Sequence, residues 1–342
     1  ASARVDHTAA VSDTNAGSVA NDCTRHDRRN DAASPNAMKL LIFDIGSNSI
    51  RTLRVTRDAD FEPQFSGKRV YTTRLAEGLA ESGNLSQARM LQSLLVIRSL
   101  HSEHAAQGFS SFAYATSAVR DASNGKAFIK SVEEIIGSGH ARILTGVEEA
   151  AFAQQGADPD GGKTILDIGG GSTQVVRPDS RESWPIGCVR AKDLAPYDDL
   201  SSITEALYPI LSGLFGPPEL DERPDRPVIP SEKTPVQDLL LGVGGTITTL
   251  ALLCEGKDTF TPWQGEKRIE LFALRAVLNA LDGMGDSQRA TVPLLKDRHD
   301  VILHGGVILQ YLLERLHCPR VGATLSDGLD GYALHLLKTI SL

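Results

Sequence analysis

Ile42-Phe43-Asp44-Ile45-Gly46-Ser47 returns 123 residues later as Ile165-Leu166-Asp167-Ile168-Gly169-Gly170. Each copy is a short apolar run of the kind that forms a buried strand, and each ends in Asp-Ile-Gly followed by small residues that favour a tight turn. A second strand is predicted directly after each turn, at 49–55 and 173–176. One such match is weak evidence. Two matches in equivalent places of two β-β-β-α series are better explained by duplication. The pattern therefore predicts two similar α/β lobes with a central cleft.

Outward from the first copy, strands are predicted at 40–44, 49–55 and 67–74. A helix follows at 86–103, with Met90, Leu91, Leu94, Ile97 and Leu100 on one face. The series continues with a strand at 111–116, a helix at 125–136, a strand at 141–144 and a helix at 147–155, and then restarts. The first lobe accordingly spans residues 38–155 and the second 156–342, with the last helix free to pack back on the first lobe. Residues 1–37 are rich in Ala, Ser, Asp and Asn, with too few larger apolar residues to offset their ordering entropy, and are expected to be a disordered tail. Six of the 16 prolines fall between 217 and 235, which predicts a surface loop ahead of a strand at 238–241. Helices are expected at 269–281, 298–316 and 329–339.

A hydrophobic fraction of 41% with 23% charged residues is that of an ordinary globular chain, and 342 residues suit two domains. Thirty-five Lys and Arg against 43 Asp and Glu, a net charge of −8, argue against a protein that wraps nucleic acid, so DNA is not an expected partner. No stretch approaches the ~18 to 20 apolar residues that cross a bilayer, and no apolar leader is visible. Cys23, Cys188, Cys254 and Cys318 have no CxxC spacing, which fits free thiols and a cytoplasmic location.

Three glycine-rich turns carry the candidate chemistry. In the first, Asp44 through Ser49, Gly46 permits close backbone approach while Ser47, Asn48 and Ser49 offer hydroxyl and amide groups to a phosphate oxygen. The second, Gly169-Gly170-Gly171-Ser172-Thr173, is a candidate phosphate nest. Three successive glycines are entropically costly for a purely structural turn. The third, Gly242-Val243-Gly244-Gly245-Thr246, can place a helix N-terminus against an anion, although it is not a Walker A sequence. Any one of them alone also reads as an ordinary turn. Together they suggest a ligand with several phosphates. Asp44 and Asp167, facing each other across the cleft, can hold a hydrated Mg²⁺ or another divalent cation, or can each merely cap its turn.

At this point the chain resembles a known family. The Asp44 turn, Ala115-Thr116-Ser117-Ala118-Val119-Arg120-Asp121, Leu144-Thr145-Gly146-Val147-Glu148-Glu149-Ala150 and Asp167-Ile168-Gly169-Gly170-Gly171-Ser172-Thr173 occur in that order. Pro185 through Arg190 and Arg298 through Ile302 also fit. The combination is similar to the exopolyphosphatase / guanosine-pentaphosphate phosphohydrolase (Ppx/GppA) family of the actin-like, RNase H-like superfamily, in its short form, over about residues 38–342. The resemblance implies release of terminal orthophosphate from inorganic polyphosphate, with guanosine pentaphosphate as a further candidate substrate. It implies Glu149 as catalytic base and Arg120 as a phosphate contact, and a homodimer is compatible with it. Glu148 is read as a first-turn residue favouring the helix dipole. Lys68, Arg69, Arg74, Arg190 and Lys192 are further basic candidates, whereas His299 and His304 read as packing residues. One position departs: Gln174 stands where the family usually has Glu, and an amide cannot accept a proton. The rival readings are a non-catalytic polyphosphate or guanosine-nucleotide sensor, for which Gln174 is the only support, and a kinase of the same superfamily, for which no acceptor site is evident.

Overall fold

The structure is a computed structural model and describes residues 37–58, 61–217 and 240–340. The tail expected at 1–37, apart from Ala37, and the proline-rich loop beyond Pro217 lie outside the described residues. The first sheet contains β1 (Met38–Ile45), β2 (Ser49–Arg57), β3 (Gln64–Thr72), β4 (Ser110–Ala115) and β5 (Ala141–Ile143), in the order β3-β2-β1-β4-β5. β1, β2 and β3 are antiparallel neighbours, and β4 and β5 run parallel to β1. The second contains β6 (Thr164–Ile168), β7 (Thr173–Val176), β8 (Arg181–Trp184), β9 (Leu240–Val243), β10 (Lys267–Glu270) and β11 (Arg320–Ala323). Read from β8, its order β8-β7-β6-β9-β11 repeats the first sheet, and β10 adds an antiparallel edge. The two sheets are thus duplicates in strand order, and the duplication extends to register. Asp44 is paired with Arg51, and Asp167 with Gln174, seven residues further along in each case.

β1 is apolar on both faces because both are covered. Leu41, Phe43 and Ile45 pack with Ile97, Phe128 and Val132 from the helices Gln87–Ala105 and Gly125–Ile136. Leu40 and Ile42 meet Leu329, Tyr332 and Leu336 from the last helix, Gly328–Thr339, which lies on the other face of the first sheet. That helix crosses Gly146–Ala157 so closely that a Cβ on Gly156 would overlap the Asp327 carbonyl, and one on Gly331 the Phe152 carbonyl. The second core surrounds the helix Ile302–Arg315, whose residues 302–309 are all buried.

Several elements differ from the sequence expectation. The third strand ends at Thr72 because Arg74 adopts a left-handed φ of 50°. The helix expected from 269 begins at Leu271, because Ile269 is taken into β10 opposite Val321. The one expected from 298 begins at Ile302. β8 and the helix Leu200–Phe215 were not expected; Asp199 caps the latter by accepting the Ser202 amide (2.8 Å). Among the described residues no helix is long and apolar enough to cross a membrane.

Candidate active site

The first two glycine turns have one geometry. The Gly46 amide donates to the Ser49 carbonyl (3.1 Å), and the Gly169 amide donates to the Ser172 carbonyl (3.0 Å). They abut across the cleft. A Cβ on Gly170 would lie 2.7 Å from Ser47 Cβ, and one on Gly171 2.6 Å from Ser117 Oγ. Between the turns lies a cavity of about 80 Å³ whose wall includes Gly46, Ser47, Asn48, Ser49, Gly169, Gly170 and Ser172. The third turn closes the side. Gly244 has a φ of 82°, and a Cβ there would stand 2.5 Å from Asp167 Oδ1. The helix Gly244–Cys254 starts at this wall with its amide end toward the cavity.

Three carboxylates face the space: Asp44 and Asp167 from the ends of β1 and β6, and Glu149 from the first turn of Gly146–Ala157. Thr145 starts that helix with a capping box. Its Oγ1 accepts the Glu148 amide (3.2 Å), while Glu148 Oε2 accepts the Thr145 amide (2.8 Å). Glu148 is thereby spent on the cap and on Arg142, and although desolvation raises its pKa, the hydrogen bonds from Thr145 and the pairing with Arg142 together lower it. Glu149 turns inward. Burial raises its carboxyl to about 7 despite the ion pair with Arg120 (Nη1 to Oε2, 3.1 Å), with the charge of Asp167 adding to the rise. Burial likewise raises Asp167 to about 6, against the attraction of Arg51, and raises Asp44.

Two arginines that the sequence reading did not single out complete the wall. Arg51 donates from Nε to Asp44 Oδ2 (2.8 Å) and from Nη1 to Asp327 at the start of the last helix. Strand alternation could have revealed it, since it stands opposite Asp44 on the same face. Arg298 is half-buried against Gly245 and makes no ion pair with the described residues. Only its place in the motif at 298–302 marked it.

Some expected site residues stand elsewhere. Thr173 is fully buried and donates its hydroxyl to the Ile186 carbonyl (2.5 Å), because alternation along β7 turns it away from the cavity. Gly171 serves the close approach of the two lobes. Arg120 does not line the cavity but holds Glu149 and the Leu144 carbonyl (2.9 Å). Gln174 lies behind Ser172 and does not reach the cavity wall. The other basic candidates are engaged: Lys68 with Asp327 and Asp330, Arg74 and Lys192 with Asp300, and Arg190 with Asp121. Arg69 lies in a separate small pocket beside Glu103. His299 bonds Asp286 (2.7 Å), and buried His304 bonds the Ala195 carbonyl (2.8 Å).

A model of the Ppx/GppA phosphatase family matches residues 55–328, most of the chain. The chain belongs to the Ppx/GppA phosphatase family. Exopolyphosphatase 2 of Mycobacterium tuberculosis is 27% identical over 323 residues, covering 88% of this chain and 95% of that protein. The solved Ppx/GppA family member of Aquifex aeolicus shares the fold with a TM-score of 0.68 at 22% identity, over 90% of this chain and all of that one. An exopolyphosphatase from Cytophaga hutchinsonii gives 0.70 at 18% identity, over 89% and 99%.

In this Ppx/GppA chain the carboxylates suit a hard cation that keeps some of its water. Asp44 Oδ1 is buried with no hydrogen-bond partner among the described residues, and Asp167 faces the same space. Among the described residues no group of three or more His, Cys, Asp or Glu side chains forms a closed metal cage. One or two carboxylates completed by water and substrate oxygens are the usual surroundings of Mg²⁺.

Proposed function

We propose that this protein hydrolyses phosphoanhydride bonds, releasing terminal orthophosphate from inorganic polyphosphate. The observation that carries the reading is Glu149, a carboxyl raised to about 7 and held by Arg120 at the wall of a cavity between two phosphate-shaped turns. A general base is most effective when its pKa lies near the working pH. Glu149 accepts a proton as water attacks the terminal phosphorus. The new P–O bond forms as the bridging P–O bond breaks, and the shortened chain leaves as an oxyanion. The amides and hydroxyls of residues 46–49, Gly169, Gly170 and Ser172 bind the phosphate oxygens, and Arg51 and Arg298 supply positive charge. Phosphoryl transfer needs this positioning and neutralisation more than covalent participation by the protein. Asp44 and Asp167 would hold Mg²⁺, which when bound supplies further charge neutralisation. The free Cys188, Cys254 and Cys318 suit a reducing cytoplasm.

A second substrate is favoured by the adjoining cavity of about 390 Å³. It shares Arg51, Gly244, Gly245 and Arg298 with the first and carries Phe65, Phe260 and Trp263, ring faces suited to a nucleobase. This lining suggests guanosine pentaphosphate as that substrate, with its phosphates toward Glu149. Phosphate release measured side by side on long-chain polyphosphate, short-chain polyphosphate and guanosine pentaphosphate tests the proposal. Release from polyphosphate without any acceptor is expected. Tight binding of all three without release would replace it with the sensor reading.

A further inference from the structure

The two sheets put different partners opposite their equivalent aspartates, Arg51 opposite Asp44 and Gln174 opposite Asp167. Gln174 is fully buried between two hydroxyls, and its Nε2 donates to Ser172 Oγ (2.9 Å) and Ser183 Oγ (3.1 Å). Its Oε1 is buried without a partner among the described residues. The reversed amide would leave both N–H donors idle in a dry interior, and orphaned buried donors are rarer than under-satisfied carbonyl oxygens. Ser172 lines the cavity, and its own proton has no acceptor among the described residues.

We infer that Gln174 is a positioning residue that sets the Ser172 hydroxyl as a hydrogen-bond donor toward a phosphate oxygen in the cavity. A hydroxyl offers one donor and two acceptor sites, and an amide N–H takes only an acceptor. With that side of Ser172 Oγ occupied, its proton is left for the cavity, where an ionised phosphate oxygen only accepts. A glutamate at position 174 would take the proton itself and turn Ser172 lone pairs toward the phosphate. The amide therefore does more than remove a charge, because it reverses the polarity of one phosphate contact. The same amide reaches Ser183, which packs under Gly146 at the start of the Glu149 helix, so one side chain joins the phosphate turn to the base.

The inference rests on the cavity being a phosphate site, and the test separates the two. Tripolyphosphate binding is measured by calorimetry without divalent cation, with melting curves confirming that each variant folds. Ser172→Ala should weaken binding about 10-fold in the parent, the scale of a hydrogen bond to a charged group, and Ser172→Thr should restore it. In a Gln174→Glu background Ser172→Ala should cost less than about 2-fold, because the hydroxyl is already turned away. If that background does not fold, Gln174→Leu replaces it, and the cost of Ser172→Ala should fall to about 3-fold as the hydroxyl loses its lock. An equal cost in both backgrounds, or no cost in the parent, overturns the inference alone. Failure of the parent to bind tripolyphosphate overturns the phosphate reading of the cavity and the inference with it.

Discussion

Glu148 and Glu149 are chain neighbours, yet about 100° of rotation per helical residue sends them to different surroundings. The Glu148 side chain is 37% exposed and completes a cap, whereas that of Glu149 is 15% exposed and faces two other carboxylates. That contrast sets the first prediction. Glu149→Gln should lower kcat by about 10²-fold or more with polyphosphate affinity kept, the pattern of an interaction used in the transition state. A base must be ionised to accept a proton, so the parent rate should rise with pH through about 7. Turnover by Glu149→Gln with the parent rate and pH profile would remove Glu149 from the mechanism. Glu148→Gln, which leaves the cavity untouched, should change kcat little in the same assay.

Among the elements, two close approaches make opposite demands. Gly156 and Gly331 let Gly146–Ala157 and Gly328–Thr339 cross carbonyl to side, and the second helix covers the apolar face formed by Leu40 and Ile42. Gly331→Ala forces these helices apart, and overpacking of this kind costs about 1–3 kcal/mol. Thermal denaturation should show a melting temperature lower by roughly 5 °C, since ~1 kcal/mol moves a domain of this size by about 2–4 °C. Gly170 meets Ser47 at the cleft rather than inside a core. Gly170→Val should therefore weaken polyphosphate binding at least about 10-fold, by blocking backbone approach, with a smaller change in melting temperature. Equal losses of fold and binding would return the turn to a structural role.

For the molecule as a whole, the charge network sets how stability depends on pH. Arg51 joins Asp44 to Asp327, and Lys68 joins Asp327 to Asp330, so the first sheet is tied to the last helix. Arg51 and Lys68 hold Asp327 down to about 2 despite its burial, so its contribution is present at neutral pH and is lost on acidification toward 2. Glu149 and Asp167 have the opposite sign. Their folded-state values of about 7 and about 6 lie above the ordinary carboxylate range, so the folded protein binds protons more tightly than the unfolded chain. The stability they confer is present at low pH and is lost as pH rises through 6 and 7. Without metal the melting temperature should fall between about pH 5 and 7.5. Mg²⁺ should recover it at the upper end by binding the ionised folded state. Asp44→Asn with Asp167→Asn should abolish that recovery; its persistence would move the cation elsewhere.

The repeated Asp-Ile-Gly strand ends determined the duplicated lobes, because burial on both faces demands a continuous apolar run and a tight turn demands small residues. The Thr145/Glu148 cap was likewise local, written in a few residues beside Glu149. The sequence reading put Glu149, Asp44, Asp167 and the turns at 46–49 and 169–173 in one site, and the folded chain brings the three carboxylates, residues 46–49, Gly169, Gly170 and Ser172 to one cavity while leaving Gly171 and Thr173 off its wall. Strand alternation was equally available, and it explains why Arg51 belongs to that wall and Thr173 does not. Tertiary structure alone decided the rest. Arg298 reaches the cavity from more than a hundred residues beyond Asp167, and β10 takes Ile269 out of a helical pattern because β11 offers an unpaired edge. The raised Glu149 carboxyl, the Arg51–Asp327 tie and the hydrogen bond from Gln174 to Ser172 arise from burial and juxtaposition, which come into being only when distant segments share one dry interior.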